Sequence, residues 1–418
     1  MHADLLIKDI QELITCDLGL DRPHCGSEMD QLHLIENGAL AIQGEKILFV
    51  GTTSEALQKI KATETYSAKG KVVLPGFVDS HTHPVFHGSR EQEFELRTQG
   101  ASYVDIAKAG GGIRNSVRRL RKASEEELYE SARRRLDRLL SFGTTTIEAK
   151  SGYGLSLEDE EKMLRVIQTL QQKHPLDILP TFLGAHEFPD EYQQDREGYI
   201  RLLMEEMLPR IAQQGLAQFC DIFCEDHVFS VEQSRRILQR AKDLGFQLKL
   251  HADEIVNSGG AELAAELGAI SADHLVAISP QGIDALAAKK VIATLLPGTT
   301  FYLGSDRYAP AQALIQKGVP IAIATDLNPG SSMTESMPMI LTLACLKLHL
   351  TCAQAISAAT INGAHALGIA ERVGSLKIGK QADFVLWDAP NYRYIPYHFA
   401  VNLVHRVYKK GKLVSPQP

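Results

Sequence analysis

The chain has 418 residues, 44% of them hydrophobic and 23% charged, with a formal net charge of -7 at pH 7. That balance fits a folded globular chain, not a disordered or fibrous one, and the length suits a (β/α)8 barrel with one smaller module. The acidic excess gives no general attraction to phosphate backbones or anionic membranes, so neither nucleic acid nor membrane is expected as a partner.

No apolar run approaches the roughly 18 residues of a spanning helix, and the first ten residues carry Asp4, Lys8 and Asp9, so no leader or anchor is expected. Six cysteines (Cys16, Cys25, Cys220, Cys224, Cys345, Cys352) are too few and too scattered for a disulfide framework, which points to a reducing, cytoplasmic setting. Cys220 and Cys224 lie in an apolar stretch with no second pair, which favours core packing over metal ligation.

Residues 1–71 read as short alternating segments between turn residues, with no long amphipathic helix, and predict a small β module. From residue 72 onward, β-rich apolar runs alternate with helical patterns, the mark of parallel βαβ units. Eight such runs stand at 72–83, 144–151, 177–186, 217–225, 246–254, 269–277, 291–297 and 320–328, which predicts an α/β fold with a closed TIM-type barrel over 72–373. The intervening helices have legible ends. Ser124 with Glu127 and Ser230 with Gln233 have capping-box spacing, Pro280 follows Ser279, and Gly143 stops the helix before the second run. The arginine-rich stretch 114–138 is interrupted by Glu125, Glu126, Glu127 and Glu130 and reads as a solvated helix face. Residues 374–418 return to strand-like segments at 382–387 and 404–414, and are expected to complete a β-sandwich with residues 1–71.

In such a barrel the chemistry gathers where the strands end, and here those ends are polar. The first run closes on His81-Thr82-His83, whose two imidazoles point to the same side of an extended chain. The fifth run carries His251, the sixth His274 and the eighth Asp326. Imidazoles with a carboxylate suit Zn2+ or iron better than Mg2+ or Ca2+. Glu254, three residues past His251, is the expected general base, because a metal lowers the pKa of its water to about 7 and a nearby carboxylate can then accept the proton.

The segment Leu74-Pro75-Gly76-Phe77-Val78-Asp79-Ser80-His81-Thr82-His83 resembles the opening of the amidohydrolase superfamily, as Gly374-Ser375-Leu376-Lys377-Ile378-Gly379-Lys380-Gln381-Ala382-Asp383 resembles its close. Within it, Ser89-Arg90-Glu91, Lys150-Ser151-Gly152-Tyr153-Gly154, Gly184-Ala185-His186-Glu187 and Asp326-Leu327-Asn328-Pro329-Gly330-Ser331 resemble the imidazolonepropionase family along nearly the whole chain. The resemblance implies a hydrolase of cyclic-amide C–N bonds that converts 4-imidazolone-5-propanoate to N-formimino-L-glutamate in histidine degradation. It implies His81, His83, His251 and Asp326 as ligands of one Zn2+ or Fe2+/Fe3+ per chain, so that the expected catalytic residues are Glu254, Asp326 and His274, the last either polarising the ring oxygen or orienting the nucleophile, or else supporting the cavity wall. It places Arg90, Tyr153, His186, Glu254, Asn328, Gly330 and Ser331 around the substrate. Arginine offers a fork for the propionate carboxylate, and the loop 328–331 offers an amide, a close-approach glycine and a hydroxyl. Glu225, at the end of the fourth run, leaves a second ion open. A cytosine- or guanine-type deaminase is the alternative, and a non-catalytic scaffold a third reading; a neutral base would have no carboxylate for Arg90 to pair. Two-fold pairing of barrels makes a homodimer the expected assembly.

Overall fold

Two sheets organise the chain, and the backbone passes from one to the other at Gly76. In the computed structural model, which describes residues 1–100 and 111–415, the N-terminal segment supplies β1 (His2–Ile14), β2 (Leu34–Gln43), β3 (Lys46–Thr52), β4 (Lys61–Ser67) and β5 (Val72–Pro75). The barrel strands are β6 (Phe77–Asp79), β7 (Thr144–Lys150), β8 (Asp177–Ala185), β9 (Phe219–Cys224), β10 (Gln247–Ala252), β11 (Ser271–His274), β12 (Ile292–Leu295) and β13 (Ile321–Ile323). Near the C-terminus lie β14 (Phe384–Trp387), β15 (Val404–Lys409) and β16 (Lys412–Ser415). Residues 416–418, the end of the expected C-terminal segment, lie outside the described residues.

The terminal strands form one mixed sheet in the order β16-β15-β14-β5-β1-β2-β3, with β4 also on β1. Strand β1 pairs with β2 antiparallel along its length, with β4 in parallel from His2 to Lys8, and with β5 in parallel at Glu12 and Leu13. A register shift between Ile7 and Ile10, with Asp9 at φ 57, bends the strand where it exchanges β4 for β5. Leu5, Ile7, Ile10 and Leu13 then pack with Phe384, Leu386 and Tyr408, so the two ends of the chain share one apolar cluster.

The stretch 72–83, expected as a single first strand, is two strands. The first, β5, belongs to the terminal sheet, and β6 opens the barrel. Gly76 makes the crossing: its N–H donates to the Asp383 carbonyl at 3.1 Å, and a Cβ there would overlap the Thr145 side chain. Periodicity cannot show such a break, because residues 72–79 are apolar or buried throughout.

The eight barrel strands are parallel and ordered β6 to β13, one within each predicted run. All seven residues of β7 are buried, as expected for a parallel strand covered on both faces. The barrel closes past the strand ends. Asp326 N–H donates to the His81 carbonyl at 3.0 Å, and His83 N–H to Leu327 at 2.9 Å. The Asp79 carboxylate accepts from the Thr325 N–H and hydroxyl at 2.9 and 2.6 Å. Ser124, Ser230 and Ser279 each cap a helix as expected. Arg133 pairs with Glu130 and Asp137 on a surface helix. Cys220 and Cys224 are buried in the core, and all six cysteines are free. Among the described residues no helix is long and apolar enough to cross a membrane.

Candidate active site

His81 and His83 follow β6, His251 lies in β10, His274 ends β11 and Asp326 stands three residues past β13. These separate strand ends converge. One donor atom each from His81, His83 and His251 lie within 4.8 Å of one another, and so do donors from His81, His274 and Asp326. Asp326 Oδ1 is 3.5 Å from His81 Nε2 and 3.4 Å from His83 Nε2. All five side chains are buried. His274 and Asp326 hold φ values of 75 and 50, left-handed conformations that cost about 1–3 kcal/mol and here turn both side chains inward.

Beneath the imidazoles lies a charged layer that composition alone does not announce. Glu148, Lys150, Asp221, Lys249 and Asp273 are all fully buried. Lys150 Nζ bonds Glu148 at 2.8 Å and Asp221 at 2.6 Å; Lys249 Nζ lies 3.1 Å from Glu148 and donates to the Ser80 carbonyl at 2.9 Å. Burial opposes the charge on Lys150, but Asp221, Glu148 and Asp273 outweigh it and hold the ammonium above its ordinary range. The layer orients the histidines from behind. His81 Nδ1 is 2.6 Å from Asp273 Oδ2, and His251 Nδ1 is 3.0 Å from Asp221 Oδ2. With Asp273 accepting the Nδ1 proton, His81 Nε2 turns a lone pair into the cluster, where it is buried and has no hydrogen-bond partner among the described residues.

This donor set fits a divalent ion. Burial, aided by repulsion from Lys150, holds His81 well below the usual histidine range, so the ring is neutral as ligation requires. Burial alone would raise Asp326, but the hydrogen bond from His83 and the electrostatic interaction with His274 hold its carboxyl at about 2. The result is an ionised carboxylate beside imidazoles that burial keeps neutral at His81 and His83, whereas at His251 burial is outweighed by Asp221, which holds that ring above its ordinary range.

Glu254 lies beside the cluster, its Oε1 3.6 Å from His274 Nδ1. Burial, with the charge of Asp326 next, pushes its carboxyl up to about 8, and a cation in the cluster would favour the ionised form. Burial also holds His274 down to about 3, so that imidazole is neutral at neutral pH. His186 stacks on His83 at 5.3 Å and 15°, with its Nδ1 2.9 Å from the Gly152 carbonyl, and the buried Tyr153 ring lies 6.1 Å from His83. Arg90 has its Nε and Nη2 on Glu93 Oε2, each at 2.7 Å, which leaves the end edge of the guanidinium for another partner. That edge adjoins Gly330, where a Cβ would overlap Arg90 Nη1.

Asn328, Gly330 and Ser331 share one tight loop. The Asn328 amide is committed to it, accepting from Gly330 N–H at 2.8 Å and Ser331 N–H at 2.7 Å and donating to the Asp326 carbonyl at 2.7 Å. Glu225 is likewise committed: its carboxylate accepts the N–H groups of Glu254, Ile255 and Val256 at 3.1, 3.1 and 3.0 Å.

Sequence reasoning missed the charged layer, Glu93 and the role of Glu225 as a backbone acceptor. A signal for the first was present. Glu148 and Lys150 stand two apart in a strand-like run, as Lys249 and His251 do, so each pair faces one side.

Residues 72–414 match the amidohydrolase family. A protein of Shouchella clausii (strain KSM-K16) named imidazolonepropionase is 49% identical, covering 99% of this chain and 93% of its own length. One of Clostridium tetani (strain Massachusetts / E88) with the same name is 50% identical, covering 99% of this chain and 98% of its own. Among solved structures, a zinc-bound adenosine deaminase from Xanthomonas campestris superposes with a TM-score of 0.73 at 21% identity, over 99% of this chain and 93% of that one. E. coli guanine deaminase does so with 0.73 at 17%, over 99% of each. The deaminases therefore share the fold, whereas the relatives of half identity are imidazolonepropionases.

Proposed function

The chain belongs to the amidohydrolase family and, within it, to the imidazolonepropionases, and on that premise we propose that it hydrolyses 4-imidazolone-5-propanoate to N-formimino-L-glutamate, a step of histidine degradation, in the cytoplasm. The observation that carries the site reading is the convergence of four buried histidines and Asp326, with His81 Nε2 left without a hydrogen-bond partner among the described residues. His81, His83, His251 and Asp326 would hold one ion, Zn2+ or iron, which when bound supplies Lewis acidity at the ring carbonyl and a water whose pKa falls to about 7. The assembly we expect is a homodimer.

The chain's own residues then divide the work. Glu254 takes the proton from the water that attacks the lactam carbonyl carbon, and returns it to the ring nitrogen as the C–N bond breaks. His274, neutral and with an Nε2 that has no hydrogen-bond partner among the described residues, donates to the carbonyl oxygen as charge develops there. Asp326 would complete the ion's ligand set and balance its charge. Arg90 takes the propionate on its end edge while Glu93 grips the other side, and Tyr153 and His186 wall the ring. Gly330 gives Arg90 its room, and Asn328 shapes the loop that presents the Ser331 hydroxyl to the product's new carboxylate.

Arg90→Met tests the substrate. Loss of a charge-assisted bond worth about 1.5–3 kcal/mol should lower kcat/KM by roughly 10- to 150-fold. An imidazolone analogue without the carboxylate should be a poor substrate for the parent enzyme and hardly worse for the variant. Equal slowing of both substrates would make Arg90 structural and remove the argument for the propionate arm.

Asp273→Asn tests the support of His81. The amide no longer fixes the ring's tautomer, so metal affinity should fall by about 10- to 100-fold in a chelator competition. Unchanged affinity would mean that the 2.6 Å contact does not tune the ligand.

A further inference from the structure

We infer that Glu225 is a positioning residue for Glu254, anchoring the general base through the backbone rather than contributing to a metal site. The inference rests on the assignment of Glu254 as the base. Glu225 follows β9 and is fully buried. It stands at the end of the fourth barrel strand, where a buried carboxylate near the cluster could otherwise be read as a ligand of a second ion. Here both oxygens are occupied, Oε2 by the N–H groups of Glu254 and Ile255 and Oε1 by that of Val256, which takes three of about four lone-pair sites.

The rest of the loop shows why this grip matters. After β10 the chain turns at Asp253, φ 51, and Asp253 itself holds the next stretch, accepting from the N–H groups of Ser258, Gly259, Gly260 and Ala261 at 2.9 to 3.2 Å. Residues 254–256 fall between these anchors. Ile255 and Val256 are 55% and 42% exposed, so apolar packing does not fix them. Among the described residues the Glu254 side chain makes no hydrogen bond, and its contact with His274, at 3.6 Å, is too long for a firm one. The Glu225 carboxylate is thus what ties the backbone of Glu254 to the barrel wall. A displacement of about 1 Å at a reacting group is enough to cost on the order of 100-fold in rate.

The test uses the full-length, metal-loaded protein with Glu225→Ala and the milder Glu225→Gln, which keeps one acceptor oxygen. For Glu225→Ala the expected result is a kcat about 10- to 100-fold lower with KM within about threefold and metal content unchanged. Glu225→Gln should fall between it and the parent. Amide hydrogen exchange should quicken at 254–256 and stay slow at 258–261, a readout independent of turnover. In a Glu254→Gln background, Glu225→Ala should cost almost nothing further, because a residue that acts through the base has nothing left to position. If Glu225→Ala does not fold, Glu225→Gln takes its place in the same comparisons. Loss of metal in step with activity would make Glu225 a ligand and overturn the inference. So would parental kcat and exchange in either variant's place, or an undiminished penalty in the Glu254→Gln background. If Glu254→Gln alone leaves kcat intact, the base assignment fails first, and the exchange result still decides whether Glu225 holds the loop.

Discussion

Glu254→Gln is expected to keep its metal and bind substrate while losing about 10²- to 10⁴-fold in kcat, the usual contribution of general acid and base work. The amide is nearly isosteric with the carboxylate, so the loop held by Glu225 and Asp253 should not move. What the amide lacks is a lone pair basic enough to accept the proton of the attacking water. Burial and Asp326 push the carboxyl up to about 8 and a cation in the cluster would draw it back toward the ionised form, opposing effects that suit a group which must accept a proton and then return it to the leaving nitrogen. Stopped-flow and steady-state rates at saturating substrate decide the matter. A kcat within about threefold of the parent would move the base elsewhere, with His274 next in line at 3.6 Å.

Asp326→Ala should go further, with turnover below detection and metal lost from the purified protein. Asp326 is the single carboxylate of the donor set, lying 3.4–3.5 Å from the Nε2 atoms of His83 and His81 and fixed by the Thr299 hydroxyl at 2.6 Å. Without it a dication would rest on neutral imidazoles alone, with its charge uncompensated in a buried pocket. His81→Ala should give the same pair of losses by removing the ring common to both triads of donors. Elemental analysis beside the activity measurement separates the possibilities: either variant turning over at the parental rate without stoichiometric metal would take the metal out of the mechanism.

The strand ends were legible because two simple regularities coincide. Apolar runs of strand length recur between amphipathic helices, and four of the eight carry the cluster's histidines and aspartate toward the end that faces the site, which makes His81, His83, His251, His274 and Asp326 readable from the sequence. What was not legible depends on pairing across the barrel. Nothing local distinguishes Gly76 as the point where β5 parts from β6, since the cause is the Thr145 side chain on a neighbouring strand. Glu225 looked available for a second ion because its three N–H partners lie about 30 residues away in the loop after β10. Arg90 looked like a free fork, yet Glu93, one helical turn on, holds one of its edges. The buried lysines were readable in principle: Lys150 and Lys249 interrupt apolar strands, and a buried ammonium demands carboxylate partners, here Glu148 and Asp221.

The most direct test is to incubate the purified protein with 4-imidazolone-5-propanoate, follow loss of the ring absorbance and formation of N-formimino-L-glutamate, and measure metal on the same sample. The account predicts stoichiometric conversion by protein carrying about one metal per chain, abolished by a chelator and restored by Zn2+ or iron. Fully metal-loaded protein that leaves this substrate untouched, or metal-free protein that converts it at the same rate, would contradict it.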